Sequence, residues 1–315
     1  MKREYSIDSY KILCMWGICF LHASGHVCHH PTQWLANLFY WCVPGFVFIS
    51  GWFGIDFSIK KILKLYGIAL YVVVVIQAIR MMQGYTLDFI YAVKMFRDFW
   101  FLNAYAALMM VAPALNKLTD SDRIDRDVIV PILLLVFGWA FCATIPGVRS
   151  FTPISQGVRE GSVIMMSGVY VVGRICKNCN LERGMSQQWR AVCLVLSIMF
   201  VGLGLCSYTS PFSLVIAVSI FLMFKSNTTC YRIGRCFKWM VPSLFSVYLF
   251  HSKGEFGLQI MSRVEDLLLA RGVPLLAVYC GVSIGVFVLG ILLDMPRRFC
   301  AHVIRMIMLT YKAIQ

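Results

Sequence analysis

Charge is what this sequence has least of. Only 14% of its 315 residues are charged, and only 15 of them are acidic. A water-soluble domain carries about 25% charged residues and about 45–50% apolar ones. Here 59% are apolar and the mean hydropathy is +0.74. Too few charges remain to build a hydrated shell, which excludes an ordinary soluble domain, a disordered chain and a collagen. Long polar linkers, internal repeats and low-complexity stretches are also missing, so no separate soluble domain is expected. The strict apolar–polar alternation of a membrane β-barrel is absent as well. The class that remains is an all-α, polytopic integral membrane bundle.

The net charge of +14 would suggest nucleic acid in a soluble protein. Here the basic residues stand between apolar runs and no nucleic-acid motif is present, so they read as topology signals and lipid-headgroup contacts, with no nucleic acid as partner. The 13 cysteines are odd in number, and most lie inside apolar runs, where they read as small buried hydrophobes. Cys176 and Cys179 form one CxxC without a second pair or nearby histidines, which is too few ligands for structural zinc. No metal is expected, although His22, His26, His29 and His30 crowd into nine residues and leave that alternative open. No cleavable signal peptide is expected, because the first apolar run carries Asp8 and Lys11.

A helix needs about 20 apolar residues to cross the hydrocarbon. Ten candidate spans follow: 7–24, 34–54, 62–81, 99–118, 128–146, 162–175, 191–207, 211–224, 239–254 and 275–293. If the N-terminus is cytoplasmic, twenty of the 29 basic residues fall in inside segments and eight in outside ones, with Lys11 inside the first span. That bias supports about ten transmembrane helices with both termini cytoplasmic. The expected division is a transmembrane domain over 1–295 and a basic amphipathic cytoplasmic tail over 296–315, lying along the membrane surface.

Ionisable groups at membrane depth cost at least about 2.5–3.5 kcal/mol and call for a reason. Asp8 and Lys11, three residues apart on one helix face, are expected to neutralise each other. His22 stands eleven residues after Lys11, close to three full turns and about 16 Å along the same side. Lys61 and Lys64 put two ammonium groups on one helix face, either as topology signals or as a phosphate site. His251 lies at the same expected depth as His22 on another helix, which suggests a polar cavity. Asn103 and Tyr105 would be unpaired in lipid and should face protein or water.

Four blocks in order resemble the membrane-bound acyltransferase-3 family, which includes surface-polysaccharide and O-antigen O-acetyltransferases. They are Arg3 to Lys11 with His22, Val43 to Phe53 around Ser50 and Gly51, Trp100 to Tyr105 followed by Pro113 and Asn116, and Ser246 to His251. The resemblance implies ten core helices and an acyl-CoA donor, acetyl-CoA first among them, used from the cytoplasmic side of the cell inner membrane. It implies O-acyl transfer to a glycan or lipid-linked sugar acceptor, with His22, Asp8 and Lys11 catalytic and Lys61 and Lys64 on the donor's phosphates. Asn103, Tyr105 and His251 are the expected substrate-binding residues. Lysine stands at 11, 61 and 64 where the family usually has arginine, which keeps the charge but loses the bidentate fork. The alternative from another class is a transporter or flippase for a lipid-linked sugar, without covalent chemistry.

Overall fold

The computed structural model describes residues 3–25, 35, 37–120, 130, 131, 133, 134, 136–138, 163–202, 207, 208, 210–252 and 255–314. Within them the chain is all-helical. The helices are α1 (Tyr5–Gly25), α2 (Cys42–Phe53), α3 (Ile59–Met82), α4 (Phe89–Asp98), α5 (Trp100–Thr119), α6 (Val163–Asn178), α7 (Leu181–Gly184), α8 (Gln187–Gly202), α9 (Pro211–Lys225), α10 (Thr228–Phe237), α11 (Leu244–Ser252), α12 (Glu255–Ala270) and α13 (Leu275–Ile314). Each expected span contains helical residues where it is described. Most of span 128–146 lies outside the described residues, as do His26, His29 and His30.

Among the described residues, α3 and α13 are long and apolar enough to cross a membrane unaided, and the bent pairs α4–α5 and α9–α10 also pass as units. Large apolar side chains remain exposed along them, for example Ile284, Val288 and Leu292 at four-residue intervals on α13. Such a stripe is unfavourable in water and suits lipid. The sequence 296–314, expected as a separate tail, continues α13 as one helix through Pro296.

Of the spans expected at 34–54 and 239–254, the described helices α2 and α11 cover 12 and 9 residues. Gly54, at φ 77°, ends α2, and a 3₁₀ turn over Val241–Ser243, containing Pro242, precedes α11. Non-helical backbone at membrane depth persists where it is buried in protein or lines a cavity. Both short helices do border a cavity.

Two further breaks are set by local chemistry. Between α4 and α5 the axis bends by 56° at Phe99. Asp88 caps α4 by accepting from the Tyr91 amide at 2.9 Å. The Asn103 amide donates to the Phe96 and Arg97 carbonyls at 3.0 and 3.3 Å, satisfying the end of α4. Between α9 and α10 the bend is 89°. Asn227 caps α10 by accepting from the Thr229 and Cys230 amides. The turned α10 then packs on the start of α1, where the Ser9 hydroxyl donates to the Cys230 carbonyl.

Helix α1 is central and packs against α2, α9, α10, α11 and α13. Tyr10 is fully buried in it and donates to the Ala217 carbonyl at 2.8 Å. The crossing of α2 over α6 depends on two glycines. A Cβ at Gly51 would lie 2.1 Å from the Tyr170 carbonyl oxygen, and one at Gly173 would lie 2.5 Å from that of Phe48. Backbone meets backbone there, as at other small-residue crossings of membrane helices. Gly51→Ala should therefore destabilise the bundle by about 3 kcal/mol or more, since backbone cannot yield as a flexible side chain would. A melting midpoint in detergent equal to wild type would contradict this close approach.

Candidate functional site

A cavity of about 430 Å³ opens between α1, α2, α5 and α11. Its size falls within the ordinary range for small-molecule sites. Helix α1 contributes Lys11, Met15, Ile18 and His22, spaced 4, 3 and 4 residues apart along a single face. Lys11 and His22, both half-buried, thus share one cavity about 16 Å apart along the axis. The other walls are mainly apolar and aromatic, with Phe46 and Phe53 from α2, Trp100 and Phe101 from α5, and Phe245 from α11. Polar groups are few: Ser50, Tyr105, Tyr208 and Tyr248 join the two basic residues.

At the His22 end, two histidines from different helices stand side by side. The His22 and His251 rings lie 4.9 Å apart, between centroids, at 64°. His251 itself is 1% exposed and is not part of the lining of this cavity. Its Nδ1 lies 2.6 Å from the Val247 carbonyl oxygen. A carbonyl only accepts, so Nδ1 carries the proton.

Tyr105 lines the cavity. Ser50 donates to the Phe46 carbonyl at 3.1 Å, so the 2.9 Å contact with Tyr105 is a bond that the tyrosine donates to Ser50. Ser50 was visible only as part of a motif; its use as Tyr105's acceptor needs α2 and α5 side by side. Asn103 does not line the cavity. Besides closing α4, it accepts from Tyr66 at 3.0 Å, so its amide is committed to structure.

Asp8, expected to neutralise Lys11, acts on it through its charge and makes its direct ion pair with Arg3. The Asp8 carboxylate, 4% exposed, is bound by Arg3 Nε at 2.6 Å. Arg3 lies just ahead of α1, and its long side chain folds back over the first turn. Lys11 lines the cavity and makes no ion pair within 4 Å or hydrogen bond among the described residues. Lys61 and Lys64 are exposed at the start of α3 and do not line the cavity. Lys61 stands one turn before Leu65, which does line it, and its Nζ donates to the Asp56 carbonyl at 3.4 Å.

The rim near Gly54 and Ile55 is pinned by a group that single-residue reading did not single out. The Ile55 amide donates to the Tyr170 hydroxyl at 2.8 Å, and that hydroxyl donates to Asn116 at 2.7 Å. Asn116 returns a bond to the Ile55 carbonyl at 3.0 Å. Arg174 sits beside Gly54 and forms an ion pair with Asp120. Burial pushes the Asp120 carboxyl up, but hydrogen bonds from Arg174 and Asn178 outweigh it, so its pKa lies below the ordinary value. A depressed carboxyl stabilises the fold above its unfolded pKa and loses that contribution as pH falls through the folded one. Asp120→Asn should thus lower the melting midpoint at neutral pH, with the difference fading below about pH 4. A difference unchanged down to pH 2 would dissociate this carboxylate from the ion pair.

A family model described as an acyltransferase domain, Acyl_transf_3, matches residues 4–295. No curated protein and no solved structure matches the chain.

Proposed function

This chain belongs to the membrane acyltransferase-3 family, and from that premise we propose an O-acyl transfer from acyl-CoA to a hydroxyl of a surface polysaccharide or its lipid-linked precursor. Acetyl is the first expected group, and the cell inner membrane the expected site. The observation that carries this reading is one cavity lined by both Lys11 and His22.

The reaction needs a base for the hydroxyl proton and a donor held within reach. His22 is the proposed base, since a neutral imidazole has a suitable pKa near neutrality. The acceptor oxygen attacks the thioester carbonyl, its proton passes to His22, and the C–S bond breaks. The proton then passes to the departing thiolate, leaving an ester and free CoA. Lys11 would meet the donor inside the cavity, while Asp8 with Arg3 holds the first turn of α1. Lys61 and Lys64 would meet the donor's phosphates as screened point charges at the mouth. Tyr105, aimed by Ser50, is the substrate contact proposed on α5. Asn103 and His251 would act through other residues.

Mass spectrometry of surface glycans with and without the gene tests the reaction, and release of CoA thiol from acetyl-CoA by the purified protein tests the donor. An acyl-sized mass difference together with thiol release is expected. Neither, with a glycan translocated intact, would favour the lipid-linked-sugar flippase. Replacing Lys61 and Lys64 by glutamine should raise KM for acyl-CoA about tenfold with kcat retained, and the loss should shrink at high salt. An unchanged KM would remove both lysines from the donor site.

A further inference from the structure

A polar side chain that is fully buried and incompletely bonded is expensive and calls for an account. His251 is such a group: it is 1% exposed, Nδ1 is used on the Val247 carbonyl, and Nε2 has no hydrogen-bond partner among the described residues. With the proton held on Nδ1, a neutral ring presents Nε2 as a bare acceptor. Cys19 touches the same Nδ1, at 3.9 Å, so the protonated edge is occupied twice while the other nitrogen is spared. The ring packs at 64° to that of His22.

We propose that His251 is a positioning residue for His22: an imidazole fixed in one tautomer, kept away from substrate, that orients the His22 ring and steadies the charge it gains on taking a proton. This rests on His22 being the base of the proposed transfer. His22 lines the cavity and His251 does not, so substrate would meet only the first ring. The second stays out of the substrate's reach while the first cycles between imidazole and imidazolium. An electron-rich neighbour in contact with a cationic ring favours the cation, whether through its lone pair or its π face.

Other titratable groups surround the pair. Cys19 on α1 and Tyr248 on α11 lie beside His251, and Tyr105 on α5 lines the cavity with His22. Lys11 is three turns away on α1 and Tyr208 lies across the cavity. All of these remain when His251 alone is changed, so a shift on that change reports His251.

The probe is diethyl pyrocarbonate, which modifies neutral imidazole, followed residue by residue by mass spectrometry on the full-length protein across pH. In the wild type, His22 should react along a titration curve while His251 resists at every pH. In His251→Phe, which keeps an aromatic ring and loses both nitrogens, the His22 midpoint should move down by about one pH unit. His251→Gln, which keeps an acceptor, should move it less. In acetyl-CoA hydrolysis, His251→Phe should lower kcat at least tenfold with KM unchanged, and the acid limb of its pH profile should follow the modification curve.

An unshifted His22 midpoint in a folded His251→Phe protein would overturn the proposal. If that variant does not fold, the glutamine variant decides, and equal reactivity of the two histidines in the wild type overturns the proposal without any variant. The modification curves involve no acyl chemistry. They can therefore fail while acetyl-CoA hydrolysis persists, or hold while hydrolysis is absent, which separates this inference from the proposed transfer.

Discussion

His22→Ala is expected to give an inserted, folded protein that no longer transfers an acyl group. A positioned general base contributes about 10²–10⁴-fold, and among the described residues no second imidazole or carboxylate lines the cavity: Lys11 is three turns away, and the remaining polar lining side chains include the hydroxyls of Ser50 and Tyr105. Folding should survive because His22 is half-buried against an existing cavity, so truncation enlarges a space already present instead of opening a void in packed core. The assay compares acyl transfer with the melting midpoint of the same preparation. Transfer within tenfold of wild type would sink His22 as base, and a collapsed midpoint would turn the residue into a structural one.

The largest stability effect is expected at Asp294→Ala. This carboxylate is fully buried on α13, one residue beyond the last expected span. Arg297 grips it with two bonds, Nε at 2.6 Å and Nη2 at 2.9 Å, and Ser246 donates to it from α11 at 2.6 Å. Tyr71 on α3 donates to the adjacent Leu293 carbonyl at 2.7 Å, so three helices converge on one short segment. Removing the carboxylate leaves a poorly exposed guanidinium and a buried hydroxyl without their acceptor, a loss of about 3–5 kcal/mol. Asp294→Asn should cost less, because it keeps an acceptor for Ser246. Restoring stability to Asp294→Ala by adding Arg297→Met would show that the unpaired charge, not lost packing, is responsible. Denaturant unfolding in micelles reads all three, and an Asp294→Ala protein as stable as wild type would rule out the ion pair as a structural anchor.

Asp294 also shows how legibility ran out. Ser246 belonged to a recognisable motif, and Asp294 stood at the end of an apolar run, but 48 positions separate them and nothing in either neighbourhood announces the other. The same holds for Ser50 with Tyr105 and for Tyr170 with Asn116 and Ile55. Asn103 was legible as a polar residue that must avoid lipid. That it closes α4, instead of meeting substrate, depended on the bend at Phe99. Arg3 is legible as an inside charge and as the head of the first block, but not as the partner of Asp8, because side-chain direction at a helix start is not carried by spacing.

By itself the sequence determined the helical membrane class, because the transfer energy of long apolar runs depends on composition and length alone. It also determined that Lys11 and His22 share a face, since helical periodicity is a local property. Tertiary structure alone decided that Asp8 pairs with Arg3 and that His251 meets His22 without entering the cavity. Those outcomes follow from how separate helices cross, and crossing is set by backbone approach at positions such as Gly51 and Gly173, which no single stretch of chain contains.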